Sequence, residues 1–157
     1  MIGLDDTALT ELSRQAKASP RLRSHLLLHG GHDDPVQRLV IALRRGTYLR
    51  PHVHSVQWEM LTLIRGRADM LFFDAAGSLA ERIALAADAT TVVQIPPGQI
   101  HSLVTLQDDS VVLEVKPGPY RPNEFMDWSP EEGAADAATL VDWMTNAALG
   151  ARWTGRN

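Results

Sequence analysis

The chain has 157 residues, 15 basic and 19 acidic side chains, a formal charge of −4, 45% hydrophobic residues and no cysteine. Such a composition is globular and long enough to bury a core. The missing cysteines exclude disulfides, thiolate-bound zinc, iron–sulfur clusters and thiol nucleophiles, so any transition metal has to be held by the six histidines together with carboxylates.

The opening residues, Met1 to Asp6, turn acidic at once and lack a basic segment followed by an apolar stretch, so we expect no signal peptide and a cytoplasmic location. Residues 6–18 predict a helix. Ala8, Leu9, Leu12 and Ala16 form one apolar stripe, Asp5 or Asp6 can cap it, and Pro20 stops it. The following His29-Gly30-Gly31-His32-Asp33-Asp34-Pro35 is dense in turn formers, and its histidines and aspartates read as solvated loop residues. His25 reads as a surface or helix-edge residue.

From Val36 onward the pattern changes to short β-like runs. We read strands at Val36–Leu43, Tyr48–His54, Glu59–Ile64, Ala68–Phe73, Ala80–Leu85, Thr91–Ile95, His101–Leu106 and Ser110–Lys116, separated by Gly-, Pro- and Asp-rich breaks. Runs this short and this evenly spaced predict an antiparallel sandwich or barrel. After Tyr120, Ser129-Pro130-Glu131-Glu132 has the form of a helix start, with a Ser cap, Pro at the first position and Glu three after the cap. The spacing predicts a helix over 129–149, ended by Gly150. No apolar run approaches the ~20 residues of a membrane helix, and no basic stripe points to nucleic acid. The negative charge belongs to the C-terminal part: residues 1–122 carry 13 basic and 13 acidic side chains, residues 123–157 carry 2 and 6.

Three histidines fall in the β-like region. His52 and His54 are two apart, so in a strand both imidazoles project from one face. Glu59 opens the next strand after a short turn, and His101 follows a Pro-Gly corner, so a carboxylate and a third imidazole can meet the first two. Three imidazoles and one carboxylate suit one divalent ion per chain, with Zn, Fe, Ni, Mn, Co and Cu all compatible. Four protein ligands leave one or two open positions on such an ion, and its residual positive charge favours an anionic or chelating oxygen ligand.

Arg50 and Tyr48 share parity with His52 and are candidates for the same cavity. Glu114 and Lys116 share a face with Val112, and read either as a solvated pair or as a lining of the barrel mouth. Arg38 and Gln37 have opposite parity, so at most one of them faces inward, and Arg38 is kept as a substrate contact. Tyr120 reads as a phenol donor near the mouth or as a packing aromatic. Trp58, Trp128, Trp143 and Trp153 read as packing, with Trp58 also a possible rim to the site.

The stretch Gly46-(five residues)-His52-x-His54-(four residues)-Glu59-(six residues)-Gly66 resembles the first cupin motif at every fixed position. Pro96-Pro97-Gly98-Gln99-Ile100-His101 resembles the core of the second. Thr90 and Thr105 stand where that motif has Gly and Asn. Wider stretches, His32 to Arg38, Gly46 to His52, Phe73-Asp74, Leu113 to Tyr120 and Trp128 to Glu132, resemble the WbuC-type cupin-fold metalloproteins associated with bacterial O-antigen and other polysaccharide gene sets.

The resemblance implies an all-β antiparallel cupin jelly-roll over residues 36–118 with a short helix at each end, all within one domain over 1–157. It implies one metal on His52, His54, Glu59 and His101. The expected function is metal Lewis-acid chemistry (isomerisation, epimerisation or dehydration) on a small oxygen-rich, sugar-derived substrate, with anionic ones included. Tyr48, Glu114 and Tyr120 are the candidate acid/base groups, and Arg38, Arg50 and Lys116 the substrate contacts. A non-catalytic metal-containing sugar-binding or sensor module and an Fe(II)-dependent dioxygenase are the alternatives. The expected partners are a small molecule and a second copy of the chain, with neither nucleic acid nor membrane.

Overall fold

The structure is a computed structural model that describes residues 3–155; Met1, Ile2, Arg156 and Asn157, the ends of the expected domain, lie outside the described residues. Ten strands form two five-stranded sheets, and every strand pair is antiparallel. The strands are β1 (Arg23–Leu27), β2 (Val36–Leu43), β3 (His52–Val53), β4 (Glu59–Arg65), β5 (Ala68–Phe73), β6 (Leu79–Leu85), β7 (Val92–Ile95), β8 (Ile100–Thr105), β9 (Ser110–Pro117) and β10 (Glu124–Phe125). One sheet runs β1-β2-β9-β4-β7 and the other β10-β3-β8-β5-β6. Helices α1 (Asp6–Ala18) and α2 (Ala137–Asn146) lie on the outside, one against each sheet. Among the described residues no helix is long and apolar enough to cross a membrane.

Strand alternation explains the layers. Ile41 and Leu43 of β2, Leu61 and Leu63 of β4, Met70 of β5, Leu103 of β8 and Val112 of β9 point between the sheets and form the central core. The alternate residues of β2, Val40 and Ala42, meet Leu9, Leu12 and Ala16 of α1. Leu71 and Phe73 of β5 meet Leu140, Val141 and Met144 of α2. With both faces covered, all six residues of β5 are buried, which is why Ala68-Asp69-Met70-Leu71-Phe72-Phe73 shows no polar alternation. Asp69 tolerates burial because Arg82 of β6 donates to it at 2.6 Å. Gly66 is required by space and backbone. It has φ +90°, and a Cβ there would stand 2.6 Å from Ser110 Cα.

The structure corrects several local expectations. The run Tyr48–His54 pairs only at His52–Val53, because Pro51 has no N–H to enter a ladder. The helix predicted over 129–149 spans only Ala137–Asn146. Ser129 does not cap it: its hydroxyl donates to Met126 O at 2.7 Å and accepts from Arg50 Nε at 3.1 Å. Glu132 is taken by Arg21 and Arg23, and Gly133 has φ +87°, outside the helical region. At the other end, Gly150 N–H bonds Leu79 O and Leu79 N–H bonds Ala151 O, so the chain pairs with the start of β6 instead of continuing the helix. Strands β1 and β10 lie outside the expected jelly-roll limits of 36–118 and extend both sheets on the same side of the sandwich. At the N-terminus Asp5 is the cap, accepting from Ala8 N at 2.9 Å.

Candidate metal centre

The two sheets enclose a cavity of about 450 Å³. Its mouth lies between β1 on one sheet and β10 and β3 on the other, and its walls include the aliphatic side chains Leu39, Ile41, Leu61, Met70, Leu103 and Val112.

His52 opens β3, His54 follows it, Glu59 opens β4 and His101 lies in β8. His52 and His101 are directly opposed across the β3–β8 ladder. β4 belongs to the other sheet, so Glu59 reaches the three rings across the sandwich. One ligand atom from each of the four residues lies within 4.8 Å of the others. Glu59 Oε2 is 3.1 Å from His54 Nε2 and 3.0 Å from His101 Nε2.

The ring orientations are set from behind. His52 Nδ1–H donates to Arg50 O and His101 Nδ1–H to Gln99 O, each at 2.9 Å, which turns Nε2 of both rings toward the centre, where that of His101 meets Glu59 Oε2. Burial, with the nearby His101 second, pushes His52 down to about 3, so its imidazole stays neutral. Burial acts to raise Glu59, but hydrogen bonds from His101 and His54 outweigh it and hold the carboxyl well below its usual range. A neutral His52 imidazole, an ionised Glu59 carboxylate and ring nitrogens of His54 and His101 converging on it suit a divalent ion, so the residues present fit one.

Glu114 and Lys116 of β9 also face the cavity and are not the solvated pair that their spacing allowed. Glu114 stands opposite Leu61 of β4, and Lys116 Nζ lies 2.7 Å from Glu114 Oε1, with side chains 9% and 13% exposed for lysine and glutamate. Burial and the negative charge of Glu59 push Glu114 up to about 8. Burial works against the Lys116 charge, but the carboxylates of Glu114 and Glu59 outweigh it and raise its pKa.

The other expected contacts divide. Arg50 lines the cavity, with its guanidinium 5.0 Å over the Phe125 ring. Tyr120 lines the mouth, half exposed, against His32 at 4.8 Å between ring centres. Tyr48 does not reach the cavity. It packs under α2 on the outer face, and its hydroxyl donates to Pro130 O at 2.7 Å. Arg38 is also excluded: it shares the outer face of β2 with Val40 and Ala42 and pairs with Asp34 at 3.1 Å. Gln37 takes the inner face, buried and donating to Asp34 O. Trp58 is exposed and does not line the cavity, whereas Trp128, Trp143 and Trp153 pack around Phe73 and α2. His29, expected in solvent, is buried and accepts the Arg38 N–H at 2.9 Å.

Sequence reasoning missed the mouth residues Arg21, Arg23, His25, Asn123, Phe125 and Glu132. His25 is on the surface as expected, but in a strand. The alternation of Arg23 and His25 with Ser24, Leu26 and Leu28 was the available signal, since the latter face α1 and the former the cavity.

A family model for a domain of unknown function, DUF6016, matches residues 4–85, more than half of the chain. The chain belongs to the DUF6016 family. The DUF6016 match carries His52, His54 and Glu59, while His101, Glu114 and Lys116 lie beyond it. No curated protein matches the chain.

Among solved structures, a cupin-2 domain from Rhodospirillum rubrum aligns at a TM-score of 0.53 and 12% identity, over 79% of this chain and 80% of that one. A double-stranded β-helix protein from Klebsiella pneumoniae aligns at 0.53 and 16%, over 67% and 84%. KdgF from Halomonas sp. aligns at 0.51 and 18%, over 66% and 84%. These likenesses show that this DUF6016 member has the cupin fold.

Proposed function

We propose that this chain is a metal-dependent cupin enzyme acting on a small substrate that presents oxygen atoms to the metal. The observation that carries this reading is the convergence of His52, His54, Glu59 and His101 within 4.8 Å at the wall of a cavity with charged side chains at hand. A divalent ion bound there supplies Lewis acidity toward a carbonyl or a pair of hydroxyls. The chain's own residues do the rest. Lys116 and Arg50 draw in an anionic substrate and orient it, and the aliphatic walls exclude water. Glu114, beside Lys116 in the cavity, is the group best placed to move a proton at its carboxylate oxygens, with Tyr120 a second phenol donor at the mouth.

The resemblance to WbuC-type cupins supports a sugar-derived substrate in bacterial polysaccharide metabolism as one member of this class, and isomerisation, epimerisation or dehydration as the reaction types. The same reading takes residues 1–157 as one cupin domain of a cytoplasmic homodimer, supported by the exposed sheet edges at β1 and β7.

Elemental analysis and calorimetric titration with Zn²⁺ test the metal. We expect about one ion per chain, lost in His52→Ala and His101→Ala with retained folding. Purified protein that neither carries nor binds a divalent ion would refute the proposal.

A further inference from the structure

The mouth of the cavity holds more positive charge than its neighbours neutralise. Arg50 is half-buried, and its donors reach only neutral acceptors: Ser129 Oγ at 3.1 Å, Ser129 O at 3.0 Å and Met126 O at 3.4 Å. Among the described residues no carboxylate lies within ion-pair distance of it. Across the mouth, the Arg23 side chain is 7% exposed and has Glu132 as its only acidic partner among the described residues. Glu132 is shared: both of its oxygens also accept from Arg21 at 2.7 Å. One Nη of Arg23 goes to a neutral carbonyl, Tyr48 O, at 2.7 Å. Two guanidinium groups, Arg21 and Arg23, thus share a single carboxylate, and the third, Arg50, has none among the described residues. His25, beside them, is pushed down by the partial desolvation of its ring at the mouth and then by the charges of Arg23, Arg21 and Lys116, so it adds a hydrogen-bonding ring without further charge.

A half-buried cation without a counter-ion is costly unless an anion arrives. Guanidinium is also the side chain whose planar fork matches carboxylate and phosphate oxygens. Arg50 precedes the ligand His52 by two residues, roughly 7 Å along extended backbone.

We propose that the ligand of this site carries a second acidic group, a carboxylate or a phosphate, which Arg50 and Arg23 receive at the mouth while its other end reaches the metal. This rests on the metal-dependent reading above and narrows it to substrates with an anion at each end.

The test is calorimetric titration of Zn²⁺-loaded protein with paired probes: 2-oxobutyrate against 2-oxoglutarate and 2-oxoadipate, and glycerate against 3-phosphoglycerate. The second anion should tighten binding by at least about tenfold. That gain should vanish in Arg50→Gln and return in part in Arg50→Lys, with Zn²⁺ binding unchanged in both. Arg21→Gln, at an exposed position whose loss does not threaten folding, should change the gain by less than Arg50→Gln does. A gain with the diacids identifies a carboxylate source and a gain with 3-phosphoglycerate a phosphate source; either supports the proposal. Singly and doubly charged probes binding alike, or a gain that survives Arg50→Gln, would overturn it while leaving the metal reading intact. Failure of Zn²⁺ itself to bind would bring down both.

Discussion

Replacing Lys116 by methionine isolates the charge balance inside the cavity. Methionine keeps most of the stem volume and removes the ammonium that stands 2.7 Å from Glu114 and acts on Glu59. Breaking a buried ion pair from one side costs about 3–5 kcal/mol. Glu114 is already pushed up to about 8 and can take a proton near neutral pH, which holds the cost to the lower end, about 3 kcal/mol. For a domain of this size that corresponds to a fall in Tm of about 6–12 °C.

The pH dependence has a definite sign. A carboxyl whose folded pKa lies above its unfolded value near 4.5 contributes stability that is full below 4.5 and lost as pH rises through the folded value, about 8 here. Loss of Lys116 raises that folded value further, so the deficit of the variant is level at lower pH and grows as pH rises past about 8. Thermal and urea unfolding of chelator-treated wild type and Lys116→Met on both sides of that value measures it. Adding Zn²⁺ should recover part of the deficit, because the ion replaces the missing positive charge. A deficit below about 2 °C at pH 8, or one that does not change with pH, would refute the reasoning.

Three further outcomes follow from the packing. Tyr48→Phe should cost about 1 kcal/mol in urea unfolding, the net value of its 2.7 Å hydrogen bond to Pro130 O, and leave Zn²⁺ affinity unchanged; a loss of metal or probe binding would return Tyr48 to the site. Gly66→Ala should destabilise by about 2–4 kcal/mol in the same assay, from a φ of +90° and a Cβ forced against Ser110; a change below about 1 kcal/mol would show that the β4–β5 corner relaxes. Hydrogen bonds from Arg21 hold Glu132 below its usual pKa, with burial opposing and Arg23 adding to the lowering. Its contribution is therefore present above about pH 4.5 and lost as pH falls through the lowered value. The carboxylate is 40% exposed and screened by solvent, so the contribution is under about 1 kcal/mol. Glu132→Gln should flatten the acid side of the stability curve, and an unchanged acid side would refute the assignment.

The metal cluster was the most legible part of the chain because its geometry is mostly local. A two-residue spacing sends His52 and His54 to one side, and a short turn brings Glu59 beside them. Only His101 needed a long-range partner, and its Pro-Gly corner and motif spacing marked it. The strands from β4 to β9 were legible for the same reason: their breaks are Gly, Pro and Asp turns that act on the nearest residues. Parity placed Glu114 and Lys116 on one face of a continuous strand with Val112, but left open whether that face met solvent or the cavity. It failed for Tyr48, because Pro51 ends regular pairing between Tyr48 and His52 and the two side chains go to opposite sides of the sheet. For Arg38 against Gln37 parity offered two faces and could not choose, since the choice depends on where α1 packs.

The C-terminal segment shows the same division. Ser129, Pro130 and Glu132 carry a sound local signal for a helix, yet Arg50, Arg21 and Arg23, distant in the chain, draw Ser129 and Glu132 to the cavity mouth. Charge-assisted bonds to three guanidinium groups outweigh a cap worth about 1 kcal/mol. By itself the sequence determined the antiparallel β class, the turn positions and the four side chains able to hold a metal, because each follows from residue type and short spacing. Only the tertiary structure decided which faces are inside, which cations crowd the mouth and which of them lack a counter-ion. Those depend on β1, β10 and the 129–136 segment converging on one edge of the sandwich, where no residue's near neighbours in the chain report what it will meet.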